Sequence, residues 1–136
     1  MDMDALQQEL TTDEGKRYRP YRDSMGKLTV GIGRDLDAVP FSDDEITLMF
    51  TNDIQKSTDA LDQNIPWWTS LTDARQRVLT NMCFNMGIGG LLQFKNMLSD
   101  IQSGDYESAA QEMLNSQWYK QVPNRVLRLS KMMEVG

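Results

Sequence analysis

The chain predicts an α+β fold that is mostly helical, with a small N-terminal lobe built on a β-hairpin and joined by a long helix to a larger helical lobe. Three observations carry this expectation. Only residues 17–34 are β-prone, in two runs that flank the turn-forming tetrad Asp23-Ser24-Met25-Gly26. After residue 42, apolar side chains recur at helical spacing and are punctuated by glycine and proline. The 136 residues suit a single domain, 1–136, with one main core pinched into two lobes. Lobe 1 is expected over about residues 12–60, and lobe 2 over about residues 66–136 together with the first helix.

The elements follow in order. Residues 3–13 read as a helix with Met3, Leu6 and Leu10 on one face and Gly15 placed to end it. The hairpin is too small to be stable alone and must lean on a helix or another strand. Ser42-Asp43-Asp44-Glu45 is a capping-box signature. The helix it opens carries Ile46, Met49, Phe50, Ile54 and Leu61 and stops before Pro66. Its other faces are charged, as expected of a largely solvated helix that bridges two lobes. Thr72 caps the next helix, about 73–86, whose Ala74, Val78, Leu79, Met82, Cys83, Phe84 and Met86 make it the expected core helix. Gly87-Ile88-Gly89-Gly90 ends it. Shorter helices are expected over about 91–102 and 106–115, the second capped by Asp105, and another opens at Pro123. The ten methionines fall mostly on these apolar faces, where filling the core is their expected role.

Composition narrows the function. The chain has no histidine, which removes Ser-His and Cys-His nucleophile systems and the histidine-bearing zinc motifs. Its one cysteine, Cys83, sits in an apolar run and reads as a buried, inert thiol. Carboxylates are left as the proton carriers of any enzyme. The formal charge is −6, and residues 35–73 hold nine acids against one base. Such a protein is a poor nucleic-acid binder. No apolar run approaches a membrane span, and the acidic N-terminus lacks the apolar stretch of a secretory signal.

One neighbourhood carries chemistry. Glu14 falls at the junction of the first helix and the hairpin, Asp23 at the hairpin turn and Thr29 on the returning strand. A glutamate at a helix end, buried against a sheet, can stay protonated near neutral pH, whereas an aspartate on an exposed turn stays ionised. A glycosidase needs that contrast, with one acid to protonate the leaving oxygen and one carboxylate to activate water or stabilise positive charge. Spacing alone leaves the plainer reading open, in which Glu14 ends a helix and Asp23 stabilises a turn. Gly31 and Gly33 serve the backbone, through close strand packing or unusual dihedrals. No helix start follows them, so they form no phosphate loop.

The stretch Leu10-Thr-Thr-Asp-Glu14-Gly15, followed by Tyr21-Arg-Asp23-Ser-Met-Gly26-Lys-Leu-Thr29-Val-Gly31-Ile-Gly33-Arg34, resembles the active-site signature of the phage lysozyme (endolysin) family, glycoside hydrolase family 24. Asn81-Met82-Cys83-Phe84-Asn85-Met86-Gly87 is similar to that family's central helix, and Ser116-Gln-Trp118-Tyr119 with Pro123-Asn124-Arg125 to a late motif. The likeness covers residues 6–36 and 69–130 well and residues 37–68 loosely. It implies a lysozyme-like fold and a muramidase that hydrolyses the β-1,4 bond between N-acetylmuramic acid and N-acetylglucosamine in peptidoglycan, with inversion at the anomeric carbon. It implies that Glu14 is the general acid, Asp23 the second catalytic carboxylate and Thr29 a holder of the attacking water. Arg125 would face the cleft near Glu14 and hold its geometry. Phe84 would line the sugar cleft; a plain core aromatic is the alternative. No metal or organic cofactor is implied.

The expected partners are peptidoglycan glycan strands, with no nucleic acid, no stable membrane insertion and a monomeric state. The expected setting is synthesis in a host bacterial cytoplasm without a signal peptide, with action on the periplasmic wall after holin-type release. Two departures stand out. Arg34 occupies a position where better-known members carry histidine, which predicts a local difference in stability. The stretch between Gly33 and the capping box is short, which predicts a missing or stunted third strand. The rival readings are a non-catalytic wall-binding relative, a chitinase or chitosanase using the same carboxylate logic, and a secreted toxin with the same chemistry.

Overall fold

The computed structural model describes residues 1–136, which form two compact units, Met1–Thr47 and Leu48–Gly136.

In the first unit, α1 (Met3–Glu14) opens on Asp2, whose carboxylate accepts from the Ala5 N–H at 3.0 Å. It closes at Gly15, whose φ of 77° only glycine adopts without strain and whose N–H reaches back to the Thr11 carbonyl. Strands β1 (Arg17–Arg22), β2 (Leu28–Gly31) and β3 (Arg34–Asp35) form an antiparallel sheet in the order β1-β2-β3. Tyr21 pairs with Thr29 and Arg22 with Leu28; a register shift between Arg17 and Tyr21 accommodates Pro20 on this edge strand. On the other side of β2, Thr29 pairs with Asp35 and Val30 with Arg34. The third strand exists but is two residues long, the stunted form expected from the short stretch after Gly33.

Helix α2 (Asp43–Asn64) starts in the first unit and ends in the second. Its capping box is formed in both directions: Ser42 N–H donates to Glu45 Oε1 at 2.9 Å, and Glu45 N–H to Ser42 Oγ at 3.2 Å. Only Ser57 and Leu61 of this helix are buried, as expected of a solvated helix, and Met49, Phe50 and Ile54 remain exposed.

The second unit holds the core. After a 3₁₀ turn, Pro66–Ser70, come α3 (Asp73–Leu92), α4 (Lys95–Ser103), α5 (Tyr106–Leu114), α6 (Gln117–Gln121) and α7 (Pro123–Val135). Leu61, Leu79, Met82, Leu91, Met97, Ile101, Met113, Leu129 and Met133 are essentially inaccessible. The buried indoles of Trp68 and Trp118 donate to Asp62 and Asn85, both at 2.8 Å, so neither N–H is left unpaired.

Several boundaries differ from the sequence expectation. Gly87 does interrupt α3, with φ 77°, but the chain resumes helical geometry to Leu92 before α4 begins at Lys95; a single helix over 91–102 does not form. The 3₁₀ turn and α6 were not separated in the sequence. Each is a five-residue element, too short to show a period, although Ser116 caps α6 by accepting from Tyr119 N–H. Phe84 is 47% exposed and sits edge-on to Phe50, with ring centroids 6.0 Å apart, so it is not a core aromatic.

Candidate active site

The first unit brings three of the five candidate residues onto one small scaffold. Glu14 is the last residue of α1, directly before the Gly15 cap. Its side chain is exposed, not buried against the sheet as the sequence suggested. The reason is local: the carboxyl lies over Gly33, which has no side chain to cover it. A Cβ built on Gly33 would stand 2.7 Å from Glu14 Oε2.

Asp23 occupies the β1–β2 turn, and its backbone N–H donates to the Lys27 carbonyl at 3.0 Å to close it. The Gly26 N–H bonds the Asp23 carbonyl at 2.9 Å. The Asp23 carboxylate folds back on the same turn, where Oδ1 accepts from Met25 N–H at 2.9 Å and from Lys27 N–H at 2.8 Å. The residue is therefore half-buried, more enclosed than an exposed turn position, and Oδ1 is committed to the turn.

Thr29, at the centre of β2, is 4% exposed. Its hydroxyl donates to the Lys27 carbonyl at 2.9 Å, leaving the oxygen's lone pairs as acceptors. Lys27 thus joins the pair: its N–H holds Asp23 and its carbonyl holds Thr29. Glu14 rests at the opposite end of the strand, beside the Gly31–Gly33 turn.

A second cluster supports this turn. Arg34, the residue after Gly33, makes an ion pair with the Glu45 carboxylate, and its guanidinium lies 5.8 Å from the centre of the Phe41 ring. The Arg34 hydrogen bond, then the Ser42 N–H, hold the Glu45 carboxyl at about 2, well below its ordinary 4.5. The capping box was legible in the sequence; Glu45's second role as counter-charge to Arg34 was not, because nothing in the spacing says that β3 meets the start of α2.

The remaining two candidates belong to the second unit. Phe84 stands half-exposed on α3, and Arg125 is a half-buried residue in the first turn of α7. Cys83 is buried with its thiol directed to the Ser57 carbonyl at 3.7 Å, and burial pushes the thiol up. That environment suits the inert group expected from the sequence.

A helix-end glutamate and a turn aspartate on one sheet are the equipment of a glycosidase. The phage lysozyme family profile matches residues 11–131. The chain is 27% identical to Probable T4-type lysozyme 1 of Dictyostelium discoideum, over 97% of its own length and 95% of that relative. It is 28% identical to the SAR-endolysin of Escherichia phage Mu, over 81% of the chain and 64% of the relative. It is also 28% identical to the pre-baseplate central spike protein Gp5 of Enterobacteria phage T4, over 97% of the chain, which spans 28% of that longer protein. The chain belongs to the phage lysozyme family, and the enzyme class that goes with this family is a glycosidase, a muramidase.

Proposed function

We propose that this protein hydrolyses the β-1,4 bond between N-acetylmuramic acid and N-acetylglucosamine in peptidoglycan by direct displacement with water. The observation that carries the reading is the joint placement of Glu14, Asp23 and Thr29 on one three-stranded scaffold, in a chain whose family match runs through all three.

Glu14 is the proton donor to the leaving glycosidic oxygen. Its exposure gives a glycan strand access to the carboxyl, and the missing side chain at Gly33 leaves room for the position it takes. Asp23 and Thr29 hold the attacking water. Asp23 Oδ1 is used by the turn, which leaves Oδ2 to accept from that water, and the Thr29 oxygen is a second acceptor coupled to it through Lys27. Lys27, which anchors Asp23, directly precedes β2, and Gly31, beside the turn that seats Glu14, ends it; the two are four residues apart, about 13 Å at roughly 3.3 Å per residue. With the two carboxyls held at opposite ends of that strand, the proposed arrangement is the wider gap that admits a water, roughly 6.5–9.5 Å, in place of the roughly 5–5.5 Å of a covalent mechanism. Phe84, half-exposed on α3, offers an apolar face for a sugar ring.

The whole chain acts as one monomeric lysozyme-like domain on glycan strands. No helix is long and apolar enough to cross a membrane. The endolysin relative supports a role in phage lysis. The spike-protein match favours a second setting, the same chemistry carried as a module of a phage particle.

Mass spectrometry of muropeptides after digestion tests the reading. The expected products end in reducing N-acetylmuramic acid. Products ending in reducing N-acetylglucosamine, or cleavage of chitin oligomers without peptidoglycan cleavage, would reassign the bond.

A further inference from the structure

The Glu14 carboxyl occupies the space that a side chain at position 33 would need. A Cβ on Gly33 would lie 2.7 Å from Glu14 Oε2, 2.9 Å from Cδ and 3.1 Å from Cγ. Atoms in proteins do not pack that closely, so the volume a side chain would need is already taken by the Glu14 carboxyl. Gly31 makes an informative contrast. It lies two residues earlier in the same turn, with φ 68° against 71° for Gly33, yet nothing stands within 4 Å of a Cβ built there. Left-handed backbone accounts for a glycine at both positions. Only at Gly33 is the empty space itself in use.

We propose that Gly33 is a positioning residue, its bare Cα forming the seat of the Glu14 carboxyl. The proposal rests on the reading of Glu14 as the general acid and adds how that acid is aimed. Glu14 needs such a seat because it ends a helix and is exposed, so its own element does little to fix its rotamer. The seat is itself held. The Val30–Arg34 pairing fixes the backbone next to Gly33, and the Arg34 side chain is tied to Glu45 at the start of α2. Proton transfer is sensitive to such placement, and a shift of about 1 Å can cost on the order of a hundredfold in rate.

The test compares Gly33→Ala with Gly31→Ala, since both add one methyl at nearly the same φ and only the one at Gly33 meets Glu14. Turnover on purified peptidoglycan, its pH profile and urea unfolding are measured for each, alone and combined with Glu14→Ala. Gly33→Ala should lower kcat roughly a hundredfold, leave KM within about threefold, and move the limb of the pH profile that reports the acid. Gly31→Ala should keep kcat within about twofold and an unchanged profile. Because the end of Glu14 is an exposed side chain that can yield, the part of the Gly33→Ala urea-midpoint loss that depends on it should be small, and Glu14→Ala should remove that part while leaving the Gly31→Ala loss unchanged. Equal effects of the two glycine substitutions on kcat, pH profile and urea midpoint would overturn the proposal. So would a Gly33→Ala midpoint loss that is no smaller in the Glu14→Ala background than with Glu14 present. The urea cycle needs no activity, so it reports on the seat even if Glu14 proves not to be the acid. Full turnover by Glu14→Gln would count against the acid assignment alone.

Discussion

Arg75 is the buried cation on which the helical unit should depend most. It is 9% exposed, on the first turn of α3. Its Nε donates to the Met133 carbonyl at 2.8 Å and its Nη2 to the Glu134 carbonyl at 3.0 Å. These carbonyls belong to the last turn of α7, where no intrahelical N–H remains to satisfy them and where the helix dipole favours a positive charge. The guanidinium carbon also lies over the Tyr106 ring, 3.4 Å from its centre. Arg75→Met fills the space of the stem but leaves both carbonyls unpaired. Hydrogen bonds to a charged group contribute about 1.5–3 kcal/mol each. Relief of the buried charge's desolvation offsets part of this, so the net loss should be about 2–4 kcal/mol. For a chain of this size that is a fall of roughly 6–16 °C in Tm. All three tryptophans, Trp67, Trp68 and Trp118, lie in the same unit, so urea unfolding followed by their fluorescence reads the loss directly. Arg75→Lys should recover little, because an ammonium cannot fork to two carbonyls while stacking on the ring. A midpoint for Arg75→Met equal to wild type at unchanged slope would refute the reasoning.

Three further predictions concern the first unit. Asp23→Asn keeps an oxygen to accept from Met25 and Lys27, so the fold should survive while wall turnover falls about a hundredfold or more; Thr29→Ala should be impaired in the same direction, and a clearing assay on walls with a far-UV dichroism control checks both. The lowered Glu45 group stabilises the fold above its unfolded value near 4.5, and that contribution is lost as pH falls through about 2. Unfolding midpoints between pH 5 and pH 2 should therefore decline less steeply in Glu45→Gln than in wild type; parallel declines would contradict this. Proton NMR of the first-formed sugar should show the α-anomer from the β-linked glycan, and the β-anomer would mean retention.

Much of the fold could be read from local chemistry. Capping residues announced α2, α3 and α5 through Ser42, Thr72 and Asp105, and Pro123 opened α7, because each cap depends on side chains within a few residues. The turn at Asp23–Gly26 was equally local. What the sequence could not show depends on contacts far apart in the chain. The Arg75 clamp joins residues 58 and 59 positions apart, and the Arg34–Glu45 pair depends on how β3 turns back. Glu14, Asp23 and Thr29 stood out through the resemblance to the phage lysozyme signature, but the environment expected for Glu14 differs from the one it has. Burial was inferred from its place at a helix end, whereas the neighbour it meets is a glycine that leaves it open.

The central claim, that Glu14 supplies the proton on which bond cleavage depends, is tested most directly by the turnover of purified Glu14→Gln on peptidoglycan. The amide keeps the shape that rests on Gly33 but cannot donate the proton, so a folded variant with the wild-type unfolding midpoint should lose about a hundred- to ten-thousand-fold in kcat. Wild-type turnover by that folded variant would contradict the account.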